Sequence, residues 1–183
     1  MQTAVSTQPP AGGAIDPALV ADLQSVEAAG ADARQFISFS LGADQYGVDI
    51  MAVREIKGWS GVTHLPKQPE YVRGVLNLRG VMVPIVDLRC RFGQGLTEAT
   101  PLHVVIVVQV DDRTVGLLAD RVLDIVSFEA AQRQPVPNVG RASRVDFLAG
   151  LVTIESGMIA LIHLPSLLSM ATDDQAAAES RDT

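Results

Sequence analysis

Gly47-Val48-Asp49-Ile50-Met51-Ala52-Val53-Arg54-Glu55-Ile56 returns in pattern as Gly116-Leu117-Leu118-Ala119-Asp120-Arg121-Val122-Leu123-Asp124-Ile125, at a constant offset of 69 residues. The same offset aligns Ile37-Ser38-Phe39-Ser40-Leu41 with Ile106-Val107-Val108-Gln109-Val110 upstream. Downstream, Gly74-Val75-Leu76-Asn77-Leu78 finds a partner in Gly150-Leu151-Val152-Thr153-Ile154. Each copy then closes on an acid or histidine plus leucine, Asp87-Leu88 and His163-Leu164. A repeat of this size is one structural unit used twice. Two such units leave a cleft between them, a natural place for a partner to dock.

Period-two runs bounded by turn residues surround these stretches, and they read as strands. In the first copy Ile37, Phe39 and Leu41 alternate with Ser38 and Ser40, Gly42–Gln45 turns, and Tyr46-Gly47-Val48 returns. Residues 49–57 fit strand and helix equally. A second hairpin runs Gly74–Leu78, Arg79-Gly80, Val81–Val86, and Pro84, which has no N–H for a ladder, predicts an edge or bulge there. The polar stretch Gly93–Pro101 separates the copies. The second copy repeats the plan, with hairpins around Asp111-Asp112-Arg113 and Glu155-Ser156-Gly157, and Pro165 suits the start of a short helix through Met170. Four or five short strands per copy leave exposed edges unless the sheet closes, so a small barrel per copy is expected. Valine and isoleucine dominate a chain whose aromatic content is only 4%, which also favours an all-β fold.

The predicted divisions are a flexible N-terminal extension at 1–34, a first barrel at 35–96, a second at 97–168 and an acidic C-terminal tail at 169–183. Within the extension Asp16 suits an N-cap, Pro17 the first helical position and Gly30 a stop, with Leu19, Leu23 and Val26 on one face. Such a helix docks either on the body or on a partner, and the residues do not choose.

The net charge of −7 belongs mostly to the ends: residues 35–168 hold 12 Lys and Arg against 13 Asp and Glu. A nearly neutral body with a single tight basic pair, Arg89 and Arg91, argues against nucleic acid. One cysteine fits a reducing compartment, the N-terminus lacks the pattern of a signal peptide, and no apolar run reaches bilayer length. A cytoplasmic protein without membrane insertion is expected.

Enzyme signals are poor. His64, His103 and His163 stand alone, with no metal-ligand spacing, so no metal site and no cofactor are expected. Cys90 has arginine neighbours but no nameable base. Gly93-Gln94-Gly95 lacks the rest of a dinucleotide loop. Asp120 and Asp124 read as a solvated face. The tip Asn77-Leu78-Arg79-Gly80 is different: Gly80 permits a tight turn, and Arg79 projects a rigid fork of donors from it.

The run Gly74-Val75-Leu76-Asn77-Leu78-Arg79-Gly80-Val81-Met82-Val83-Pro84-Ile85-Val86-Asp87-Leu88 resembles the signature of the CheW family of chemotaxis coupling proteins. Tyr46–Ile50 with Val53–Ile56, and Val115–Val122, resemble its earlier and later motifs, so the likeness spans residues 35 to about 168. It implies two packed five-stranded SH3-like barrels with short flanking helices. It also implies a non-enzymatic adaptor bridging methyl-accepting chemoreceptors to the histidine kinase CheA, recruited to receptor arrays. An alternative is an adaptor of a non-flagellar pathway, in pilus motility or biofilm control. The implied receptor contacts, to the receptor's cytoplasmic tip, are Arg79, Val104 and Ile125. The implied contacts with the regulatory domain of CheA are Val53, Glu55, Ile56 and Gly74.

Overall fold

The computed structural model describes residues 33–137 and 145–169. The candidate helix between Asp16 and Gly30 and the acidic tail beyond 169 lie outside them. Ten strands build two five-stranded sheets: β1 (Ala33–Leu41), β2 (Asp44–Asp49), β3 (Val53–Gly58), β4 (Val72–Leu78), β5 (Val81–Asp87), β6 (Val104–Val110), β7 (Arg113–Ala119), β8 (Arg121–Glu129), β9 (Leu148–Ile154) and β10 (Gly157–Ile162). One sheet has the order β8-β1-β2-β10-β9 and the other β3-β6-β7-β5-β4.

Neither sheet is one copy of the repeat. The first takes β1 and β2 from the first copy and β8, β9 and β10 from the second, while the other takes β3 to β5 and β6 to β7. The division into barrels at 35–96 and 97–168 is therefore corrected. One barrel is contiguous, Val53–Ala119, and is inserted into the other, which is made of Ala33–Asp49 and Arg121–Ile162. The cause lies in the repeated stretch itself. A 3-10 turn, Ile50–Ala52, follows β2 and carries the chain out of the first sheet, its start held by the Asp49 carboxylate accepting from Met51 N–H at 2.9 Å. Asp120, between β7 and β8, carries it back. The ambiguity of residues 49–57 is the signature of this crossover, part turn and part strand. Strand for strand, the two barrels still correspond, because each receives a hairpin from one copy and three strands from the other.

Closure is also duplicated. Past β3, Thr63 exchanges two backbone hydrogen bonds with Val75 of β4, at 2.9 and 2.8 Å; past β8, Gln134 exchanges two with Leu151 of β9, at 2.8 and 2.9 Å. Gly74 and Gly150 stand beside these bridges. A Cβ on Gly74, whose φ is +136°, would collide with the Thr63 carbonyl, and one on Gly150 would meet the Arg133 stem at 2.7 Å and the Gln134 carbonyl at 3.0 Å. The repeat conserves glycine at both places because backbone must approach backbone there.

The largest buried cluster fills the seam between the barrels and includes Ile37, Phe39 and Leu41 of β1 with Ile106 and Val108 of β6. The opposite faces of the same strands, Phe36 and Val105 with Val107, enter the two barrel interiors. Both strands are thus walls buried on two sides, which explains the almost unbroken β-branched run of β6. Ser38 and Ser40 are consequently buried, not solvent-facing. Ser38 Oγ satisfies the Asp124 carbonyl at 2.8 Å and accepts from its N–H at 3.0 Å, beside the irregular register of β1 with β8. Pro84 sits in a strand with neighbours on both sides, but the register with β7 starts at Ile85, so up to Pro84 the strand is paired only with β4.

Each copy ends on a helix start. Asp87 caps α1 (Leu88–Arg91) by accepting from Cys90 N–H at 3.2 Å. At the equivalent place His163 Nδ1 meets Ser166 N–H at 3.3 Å, and residues 164–169 are helical. Leu88 and Leu164 are both driven into the seam. Full burial of such a side chain contributes about 1.5–3 kcal/mol.

Candidate functional site

The β4–β5 hairpin turns on Arg79 and Gly80, with φ of +52° and +91°. Two consecutive positive φ angles are the pattern of a type I′ turn, whose twist matches the flanking strands. Gly80 adopts it freely, and Asn77 Oδ1 pins the turn by accepting from Gly80 N–H at 2.7 Å. Arginine has no such freedom, and a non-glycine residue held there costs on the order of 1 kcal/mol or more. The Arg79 side chain is 88% exposed, and its Nη2 donates to Glu55 Oε2 at 3.0 Å. Val81 and Met82, immediately after the turn, are exposed apolar residues. The tip therefore offers a forked cation, an acid beside it and an apolar shoulder.

The sequence assigned Arg79 and Glu55 to different partners, yet they touch. Val53, Glu55 and Ile56 share β3, and Val104 lies in the neighbouring β6, paired to Gly58 at the end of β3. Ile125 belongs to the other barrel, on β8, opposite Ile37. Val53, Ile56, Val104 and Ile125 are all half-buried along the margin of the seam. Ile125 is the repeat mate of Ile56, so a residue proposed for one partner is the structural counterpart of one proposed for the other. Gly74 needs correcting as a contact: it is buried, it offers no side chain, and the approach of Thr63 accounts for it.

Some charged residues carry more structure than the sequence suggested. Asp87 is fully buried and is met by Thr97 N–H at 2.8 Å, Thr97 Oγ1 at 2.7 Å and Arg73 Nη1 at 3.5 Å. Arg73 in turn donates to the Thr97 carbonyl at 2.9 Å, fastening the linker after α1 to the barrel. Asp120, read as solvated face, accepts from Arg89 Nε at 3.1 Å and Nη2 at 2.6 Å and from Gly42 N–H at 2.7 Å. Burial raises the Asp120 pKa, but the Arg89 hydrogen bond, the Gly42 N–H and the charges of Arg89 and His103 outweigh it, leaving the carboxyl below its usual range. This cluster ties the returning crossover to α1 and to the β1–β2 turn. A charge at a turn gives no local sign of a partner 31 residues away, so sequence reading missed it.

Cys90 is pushed up in pKa by burial and by the charges of Asp87 and Glu70, against reactivity. Among the described residues no group of His, Cys, Asp and Glu is placed to hold a metal ion, and no helix is long and apolar enough to cross a membrane.

The family model described as the CheW-like domain matches residues 35–172. The chain belongs to that family. The Chemotaxis protein CheW of Rhizobium meliloti (strain 1021) is 45% identical over 134 residues, covering 73% of this chain and 86% of that protein. Among solved structures, the scaffolding protein TtCheW from Thermoanaerobacter tengcongensis is similar with a TM-score of 0.65 and 30% identity, covering 72% of this chain and 84% of that one. Protein FrzA of Myxococcus xanthus is 28% identical over 140 residues, covering 75% of this chain and 87% of that protein. Two five-stranded SH3-like barrels, as the CheW resemblance implied, are thus the fold of this CheW-like protein.

Proposed function

We propose that this chain is a non-enzymatic adaptor that couples methyl-accepting chemoreceptors to the regulatory domain of the kinase CheA in the cytoplasm, and is recruited to membrane receptor arrays by that contact. The observation that carries the reading is the Arg79 tip. A cation held in left-handed backbone, exposed and orientated by Glu55, is a strained feature that the fold alone does not need, since asparagine or glycine makes the same turn more easily. Arginine is enriched among residues that anchor interfaces, and an apolar shoulder beside it adds desolvated area.

Arg79, Val104 and Ile125 are the proposed receptor contacts; Val53, Glu55 and Ile56 are the proposed kinase contacts. A receptor tip built as a helical hairpin suits the half-buried aliphatic margin of the seam, because helices are recognised by apolar grooves. The contact between Arg79 and Glu55 makes the two surfaces neighbours, so binding of one partner is expected to be felt by the other. Titration of Arg79→Glu against a receptor fragment and a kinase domain separately tests this. Receptor affinity is expected to fall by about 2 kcal/mol, with a smaller loss for the kinase; unchanged receptor affinity would return Arg79 to an ordinary turn residue.

A second reading, the same kind of adaptor in a non-flagellar chemosensory pathway, has behind it the likeness to Protein FrzA, a relative whose name does not mention chemotaxis. Gene neighbours, and the kinase and receptors that copurify, discriminate the two.

A further inference from the structure

A groove of about 510 Å³ opens where the crossover leaves β2, and its lining contains none of the proposed receptor or kinase contacts. Its walls come from the start of β1, the Ile50–Ala52 turn, the end of β6 and the segment just after β10. The 3-10 turn buries none of its residues, so Met51 stands in the wall 80% exposed. Ala52 and Ala149 are too short to fill the space beside them. Phe36, Leu161 and Leu164, all nearly fully buried, line the groove from the core side and leave it mainly apolar.

The lining also holds two arginines, Arg34 and Arg133, against one acid, Asp49. The Asp49 carboxylate is turned to Met51, accepting from its N–H at 2.9 Å. Both arginines are exposed, and among the described residues neither guanidinium has a hydrogen-bond or ion-pair partner. The stem of Arg133 packs over Gly150, where an added Cβ would meet it at 2.7 Å, so the stem is held while the head is unused. Small-molecule sites have this make-up, about 300–1,000 Å³ of mostly apolar wall with a few polar groups that orient the ligand. An arginine fork matches a carboxylate, to which it donates two parallel N–H bonds. Two cations against one anion leave room for a single negative charge, and Asp49 repels a doubly charged head such as a phosphate monoester. We propose that this groove binds a monocarboxylate with an apolar tail, its head on Arg34 and Arg133 and its tail against Phe36, Leu161 and Met51.

Methyl-labelled methionine reads this out in the full chain, because Met51 reports the groove while Met82 and Met158, exposed on β5 and β10, report surface elsewhere. Decanoate, titrated below its micelle concentration, is expected to shift the Met51 resonance saturably and leave Met82 and Met158 in place. Decanol, with the same tail and no charge, is expected to bind at least tenfold more weakly, and acetate is expected not to move Met51. The double variant Arg34→Gln, Arg133→Gln is expected to weaken decanoate at least tenfold, with decanol binding and the melting temperature near those of the parent. Absence of a saturable Met51 shift overturns the proposal and leaves the groove to a macromolecular partner. Equal affinity for decanoate and decanol, or tighter binding of decyl phosphate than of decanoate, also overturns it. So does a Met51 resonance that depends on protein concentration before decanoate is added, with a doubled mass by light scattering, because the groove would then be filled by a second copy.

Discussion

The two barrels are built to one plan and finished with different chemistry. At the closing bridge, Gly74 has a positive φ and a carbonyl where its Cβ would be, whereas Gly150 is covered chiefly by the flexible stem of Arg133. At the helix start, Asp87 is a buried charge with three partners, whereas His163 is an exposed ring serving its own helix. At the hairpin tip, Arg79 faces Glu55, whereas the equivalent tip is the exposed turn of Glu155 and Ser156. What duplicates is the backbone requirement; what diverges is every place where a side chain has a choice. The contiguous barrel holds the more constrained version each time, and every proposed partner contact except Ile125 lies on it.

The closing bridges give the largest test of that asymmetry. Gly74→Val should lose about 4 kcal/mol, because neither the positive φ nor the Thr63 backbone can give way. Gly150→Ala should lose only about 1–2 kcal/mol, since the Arg133 stem can swing aside. Urea denaturation of both variants measures the difference, and equal losses would mean the two closures are equally rigid.

The helix starts come next. Asp87→Ala strands Arg73, whose side chain is only 16% exposed, and unpairs the Thr97 amide and hydroxyl. A loss of about 3 kcal/mol is expected, the cost of leaving a buried ion without its partner. His163→Ala removes only a cap and should cost about 1 kcal/mol. If the histidine variant proved the more damaging, burial would be the wrong measure of how the two starts differ.

How much of this was legible in the sequence depends on range. The repeat, the paired glycines and the Arg-Gly tip showed because offset, residue type and turn chemistry are local. The exchange of hairpins between copies did not, because strand pairing is a property of distant segments, and the crossover at Ile50–Ala52 announced itself only as a run that fitted neither period. Asp87 was noticed only as the end of a motif, and Asp120 was read as solvated. Within the candidate site, Arg79 and Glu55 were both picked out, but their contact across the sheet was not.

Asp120 offers a pH test of the crossover, smaller than the first two. Its folded pKa lies below the ordinary value of 3.8, so the stability it contributes is present above that pH and is lost as pH falls through the lower, folded value. Stability of the parent relative to Asp120→Asn should therefore differ by about 1 kcal/mol near neutrality and converge only below pH 3.8. Convergence well above pH 3.8 would show that the Arg89 and Gly42 hydrogen bonds do not hold the carboxylate ionised.

The hairpin tips should show the smallest effect on folding and the sharpest on function. Arg79→Glu exchanges a paired cation for an acid facing Glu55, but at a site where the side chain is 88% exposed the change in stability should be a few tenths of a kcal/mol. Ser156→Glu, at the equivalent tip, should likewise leave the melting temperature near that of the parent. The two variants part company only at the interface: receptor binding is expected to weaken for Arg79→Glu and to hold for Ser156→Glu. Adding Glu55→Arg to Arg79→Glu restores the pair with reversed polarity, so stability should return while receptor affinity does not, if the cation at the apex is what the receptor reads. Recovery of affinity in the reversed pair would show instead that the turn needs only a clasp between β3 and the hairpin, and that the difference between the two tips is one of rigidity.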